Sequence, residues 1–76
     1  MARVELTVEQ FAVLLWVSEG YTLSEIAENT GQATATVYGR ASRMRSKLGA
    51  KTLAQAVAQA YHLGILVPKT RQKEAI

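Results

Sequence analysis

TLSEIAENTGQATATVYGRASRMRSKLG, residues 22–49, decides the fold. It opens with a capping box: Thr22 can accept the third helical N–H, and Glu25 can reach back to the threonine N–H. Gly31 closes the short helix that follows, and Gly49 closes the longer one after it. The longer helix carries Arg40, Arg43, Arg45 and Lys47, with Lys51 just beyond, and no acid. A short capped helix, a glycine turn and a longer cationic helix form a helix-turn-helix pattern.

The same signals recur on both sides. TVEQ at 7–10 and TLAQ at 52–55 repeat the capping box, and Gly20 and Gly64 supply stops, with Pro68 beyond. Leu6 with Phe11, and Tyr21 with Ile26, have the spacing of hydrophobic staples. The expected helices are 8–19, 23–29, 34–48 and 53–63, an all-α, four-helix arrangement. No segment alternates with period two, and ILV at 65–67 is too short for a strand. Residues 1–67 read as one domain, and 68–76 as a polar, basic C-terminal tail that frays.

Apolar spacing places the core. Val37, Ala41, Met44 and Leu48 form one stripe along the third helix. Leu53, Val57 and Ala60, with Leu63 or Tyr61, form the expected stripe of the fourth. The second contributes Ile26 and Ala27, and the first Val13, Leu14 and Val17, with Trp16 also assigned to the core. The third helix's bases avoid its stripe: Arg40, Arg43 and Lys47 follow one flank, and Tyr38, Ser42 and Arg45 the other.

Composition limits the function. A chain of 76 residues, 49% hydrophobic, suits a single packed domain. It has no cysteine and one histidine, His62, so neither a disulfide framework nor a metal centre is expected. Ser18 and Ser42 have no histidine base placed near them, and no acid pair has catalytic support, so no enzyme activity and no cofactor are expected. The longest apolar run, Phe11 to Val17, is too short to span a bilayer. The start carries acid and polar residues rather than a leader pattern, which makes the cytoplasm the expected compartment. Charge is divided: residues 1–37 hold one base and five acids, whereas residues 38–76 hold eight bases and one acid. A basic half beside an acidic half is the footprint of a polyanion binder, whether nucleic acid, acidic protein or membrane.

The geometry of the third helix favours DNA. A helix fills the major groove of B-form DNA, and cations on its flanks meet phosphates and release counterions. Small side chains let the backbone approach base edges. Gly39, near the helix start, costs about 1 kcal/mol against alanine and has no other evident purpose.

Taken together, LTVEQFAVLLWVSEG, YTLSEIAENTG, Thr36-Val37, Lys47-Leu48-Gly49 and AQAVAQAYHLGI resemble the LuxR/GerE-type DNA-binding domain from about Leu6 to Val67. The length is similar to that of free-standing GerE-like regulators, which lack a receiver or ligand-sensing domain. The resemblance implies four helices, with the second and third as the DNA-binding unit and pairing through the last. It maps recognition contacts onto Tyr38, Gly39, Arg40 and Ser42, and backbone contacts onto Lys47 and Thr36. The sequence departs from the family pattern at several points. Ala33 stands where a capping Ser or Thr is usual, Tyr38 where Lys is usual, and Arg40 where His or Asn is common. Gln10 replaces a usual Glu, and Leu53 a usual Arg.

The expected function is a small bacterial or phage transcription regulator that binds double-stranded DNA as a homodimer. The expected DNA-binding residues are Thr34, Thr36, Tyr38, Gly39, Arg40, Ser42, Arg43, Arg45, Lys47 and Lys51. Ala54, Ala58 and Tyr61 can leave a flat pairing face on the fourth helix. Phe11 and Leu15 belong either to a staple and a thick core or to an apolar patch that meets another chain. Two alternatives share the fold: a protein like sigma region 4 acting with RNA polymerase, and a LuxR-like interaction protein whose main partner is another regulator. Neither implies membrane binding. The third helix alone lacks a capping box, since Thr34 is followed by Val37 at the reciprocal position. Either Thr34 caps it unaided, or a DNA phosphate supplies the cap on binding.

Overall fold

A computed structural model describes residues 4–68. Apart from Pro68, the expected C-terminal tail lies outside the described residues. Four helices follow one another: α1 (Val8–Ser18), α2 (Leu23–Thr30), α3 (Thr34–Lys47) and α4 (Leu53–His62). Each lies within a residue of the span expected from its caps and stops.

Two capping boxes close in full. Thr7 Oγ1 accepts the Gln10 N–H at 3.1 Å, and Gln10 Oε1 accepts the Thr7 N–H at 3.0 Å. Thr22 and Glu25 do the same at 3.1 and 2.8 Å. The third closes only by half. Thr52 Oγ1 accepts the Gln55 N–H at 3.0 Å, but Gln55 Oε1 takes the N–H of Lys51 at 2.7 Å. The φ of Thr52 is −133°, against −72° and −80° at Thr7 and Thr22, so its own N–H has a different direction. At the other end of α3, Gly49 adopts φ +67°. That left-handed step lets the Gly49 N–H reach the Ser46 carbonyl and the Ala50 N–H reach Arg45, both at 3.0 Å.

The core gathers on α3. Val37, Ala41, Met44 and Leu48 are buried as their spacing predicts, against Val13 and Leu14 of α1 and Ile26 and Ala27 of α2. The expected stripe of α4 needs correction. Its buried residues are Ala56 and Ala60; Leu53 and Val57 flank them half-buried, while Tyr61 and Leu63 are exposed. Alanine brings the α4 backbone close to the core, so the larger residues sit at the edge of the contact. Trp16 is only half-buried, its ring meeting Tyr21 edge-on at 4.6 Å. Beyond α4 the chain turns back without forming a strand. The N–H groups of Ile65 and Leu66 both bond the Ala60 carbonyl, which buries Leu66.

Candidate nucleic-acid interface

Three residues, Gly31 to Ala33, join α2 to α3. Gly31 takes φ +70°, and its N–H bonds the Ala27 carbonyl, which stops α2 within one residue. With Val37, Ala41 and Met44 buried, the opposite face of α3 turns outward. Tyr38 is 50% exposed, Ser42, Arg43 and Lys47 are exposed, and Arg40 and Arg45 are partly covered. The first turn, Thr34 to Thr36, is also at the surface.

The cations of this face behave differently. The guanidinium groups of Arg40 and Arg43 form no hydrogen bond or ion pair with any described residue. Arg40 borders a hollow of about 160 Å³ between the helices, shared with Val8, Glu9, Ile26 and Gln32. Tyr38, Ser42 and Arg45 line a second hollow with Leu23 and Leu53 on the other flank. Arg45 is tied down: its Nη1 donates to the Ala50 carbonyl at 3.3 Å, across the α3–α4 turn. Lys51, in that turn, is exposed.

Lys47 is engaged over the longest range. Its Nζ donates to the Glu5 carbonyl at 2.9 Å and to Gln10 Oε1 at 3.0 Å, both at the start of α1. Gln10 is the one buried polar residue among those described, at 5% exposure. Sequence reasoning placed Gln10 in the capping box and marked it as a departure from the family pattern, but did not foresee its bond to Lys47. A neutral polar residue inside a capping box, on a helix face that must be buried, was the available signal.

Gly39 has no internal packing reason. A Cβ built there meets nothing within 4 Å, so the room it leaves is outside the molecule. The start of α3 is uncapped: Ala33 is the N-cap and no side chain bonds there, Thr34 included. The N–H groups of Thr36 and Val37 bond the Ala33 carbonyl, whereas those of Thr34 and Ala35 have no partner among the described residues. Unpartnered N–H groups at the positive end of a helix favour an anion.

Two other surfaces were expected to meet a second chain. On α4, Ala54, Ala58 and Tyr61 are all exposed. On α1, Val8 is 81% exposed, Phe11 36% and Leu15 40%, so these three form an outward apolar strip one turn apart. Leu6 packs half-buried on the core, while Phe11 stays at the surface. Leu15 borders a hollow of about 290 Å³ with Trp16, Glu19 and Tyr21.

Among the described residues, no group of three or more histidines or acids could hold a metal ion, and no helix is long and apolar enough to cross a membrane.

The sequence model of GerE, bacterial regulatory proteins of the luxR family, matches residues 4–60. No curated protein matches the chain. Among solved structures, Vibrio cholera VqmA in complex with a ligand and DNA superposes with a TM-score of 0.76 at 30% identity. The match covers 93% of this chain and 32% of VqmA, so the chain spans about a third of that protein's length.

Proposed function

Because the chain belongs to the luxR family of bacterial regulatory proteins, we propose that it regulates transcription by binding duplex DNA with α3, as a homodimer paired through α4. The observation that carries this reading is the outer face of α3. Two guanidinium groups, Arg40 and Arg43, are left without partners among the described residues, beside an exposed tyrosine, a glycine with open space over it, and a serine. Charge left unpaired inside the molecule is available to phosphates, and the gap at Gly39 lets the backbone approach base edges. In this reading Tyr38, Gly39, Arg40 and Ser42 face the bases. Thr34, Thr36, Arg43, Arg45, Lys47 and Lys51 contribute at the backbone. The DNA held by VqmA supports the assignment.

Selection from random duplexes, with solution mass measured in parallel, tests the reading. Arg40→Ala and Arg43→Ala are each expected to weaken binding while leaving the fold intact. If Arg43 contacts one phosphate, the slope of log affinity against log salt falls by about 0.9 on its substitution. Two folded variants with unchanged affinity and slope would place the DNA elsewhere.

The uncapped start of α3 has its own expected result. A phosphate that accepts from the N–H groups of Thr34 and Ala35 supplies the missing cap, so the first turn is looser in free protein than on DNA. Amide exchange at residues 34–37 should slow on adding duplex DNA. Strong, equal protection in both states would show that no DNA-supplied cap is needed.

A second reading has a specific observation behind it. The exposed Val8, Phe11 and Leu15 favour a protein partner, such as RNA polymerase or another regulator. It is compatible with DNA binding. Phe11→Ser should leave DNA affinity unchanged if α1 serves such a partner.

A further inference from the structure

At α1 a single amide joins two functions. Gln10 Oε1 accepts the Thr7 N–H at 3.0 Å, completing the capping box, and accepts Lys47 Nζ at 3.0 Å. Both partners can only donate, so the amide orientation is set by chemistry: the oxygen faces them. The oxygen's two lone pairs are then both used. Lys47 also donates to the Glu5 carbonyl at 2.9 Å. An ammonium group has three N–H donors, so this clamp occupies two of them. Its acceptors are a buried neutral amide and a backbone carbonyl, and neither carries charge.

Glutamate would satisfy the same capping bonds, since the reciprocal position of the box accepts Glu or Gln equally. The chain uses both. Glu25 closes the box at α2, where it meets no cation among the described residues; Gln10 closes the box at α1, where the Lys47 ammonium lies against it. A carboxylate at position 10 would lie about as close to the ammonium as the amide does now. It would turn a positive charge into a neutral ion pair.

We infer that Gln10 is a positioning residue for DNA binding, holding the Lys47 ammonium against α1 without neutralising it, so that its full charge and remaining N–H serve a DNA phosphate. This inference rests on the DNA-binding reading above. The clamp restrains a flexible four-carbon side chain before DNA arrives, which reduces the ordering needed on binding. It also ties the C-terminal end of α3 to the start of α1.

The test compares Gln10→Glu and Lys47→Gln with the unaltered protein, using a short random-sequence duplex over a range of salt concentrations and melting temperature as a second measurement. Gln10→Glu keeps the clamp and adds an ion pair, so its melting temperature should not fall. Its DNA affinity should drop about three- to fivefold, the scale of one exposed charge interaction. Its salt slope should become shallower by up to about 0.9, the release from one phosphate contact. A merely structural role for Gln10 would leave the slope of a folded variant unchanged. Lys47→Gln removes the charge directly and keeps a side-chain amide donor, and it should show the same shallower slope. If Gln10→Glu does not fold, an unchanged slope in Lys47→Gln still overturns the inference. If the unaltered protein binds DNA and the folded variants match it in affinity and slope, the inference is overturned while the DNA-binding reading stands. If the unaltered protein binds no duplex, the DNA-binding reading fails and takes the inference with it.

Discussion

Met44→Ala is expected to remove about 2–5 kcal/mol of folding stability, the usual range for emptying a buried methionine site. Met44 is fully buried, in the core cluster that joins α3 to α1, α2 and the alanines of α4. A domain of this length has about 4–11 kcal/mol in total, at 0.05–0.15 kcal/mol per residue. The substitution therefore removes a large share, and unfolding at physiological temperature is within reach. Chemical denaturation should show a lower midpoint with an unchanged slope, since the surface exposed on unfolding hardly changes. Val8→Ala is the control. Val8 is 81% exposed, so its truncation should stay within about 0.5 kcal/mol of the unaltered protein. Equal stability of the two variants would mean that the core has been assigned to the wrong face of α3.

The second large effect concerns pairing. Ala58 lies on the exposed side of α4, with Ala54 one turn before it and Tyr61 nearly one turn after. Two small side chains and a tyrosine make a face on which a second helix can approach closely. A pair formed there could present two α3 helices to successive major-groove faces, about 34 Å apart along the duplex. Ala58→Glu places like charges at the centre of that contact and should give a folded monomer, since Ala58 contributes nothing to the core. Affinity for a duplex with two half-sites should fall by about 10²–10⁴, the gain that linked binding provides. Affinity for a single half-site should hardly change. Sedimentation and titration on the two duplexes measure both quantities. An unaltered protein that remains a monomer with and without DNA would rule out the α4 pair.

Most of the helical framework was legible because its signals are local. A threonine and its reciprocal Glu or Gln are three residues apart, and a stop glycine acts on the turn directly before it. The α3 stripe was legible too, since Val37, Ala41, Met44 and Leu48 stand among polar neighbours and only one face qualifies. The same method succeeded only in part on α4, where it found the buried Ala60 but not Ala56. In AQAVAQA alanines fall at every second position, so Ala54 and Ala58 share one face and Ala56 and Ala60 the opposite one, and hydrophobicity could not say that Ala56 is buried while Ala54 and Ala58 are exposed. The reading there chose the larger Leu63 or Tyr61, but close packing of α4 required the smaller residue. The third capping box failed for a backbone reason, because the motif presumes a dihedral at Thr52 that the turn after α3 does not supply.

The candidate interface divides the same way. The sequence by itself determined that α3 is cationic on its outer face, that its start lacks a hydroxyl cap, and that Gly39 has no helical advantage. Each of these follows from residue types at fixed helical spacing. Only the tertiary structure decided which cations are uncommitted. Arg40 and Arg43 are left without partners among the described residues, Arg45 is bound to the turn beyond α3, and Lys47 is bound to Glu5 and Gln10 across the domain. Helical periodicity states the side on which a residue lies, but not what another helix brings within 3 Å of it. The bond from Lys47 to Glu5 joins residues 42 positions apart, and it exists only because α1 packs across α3.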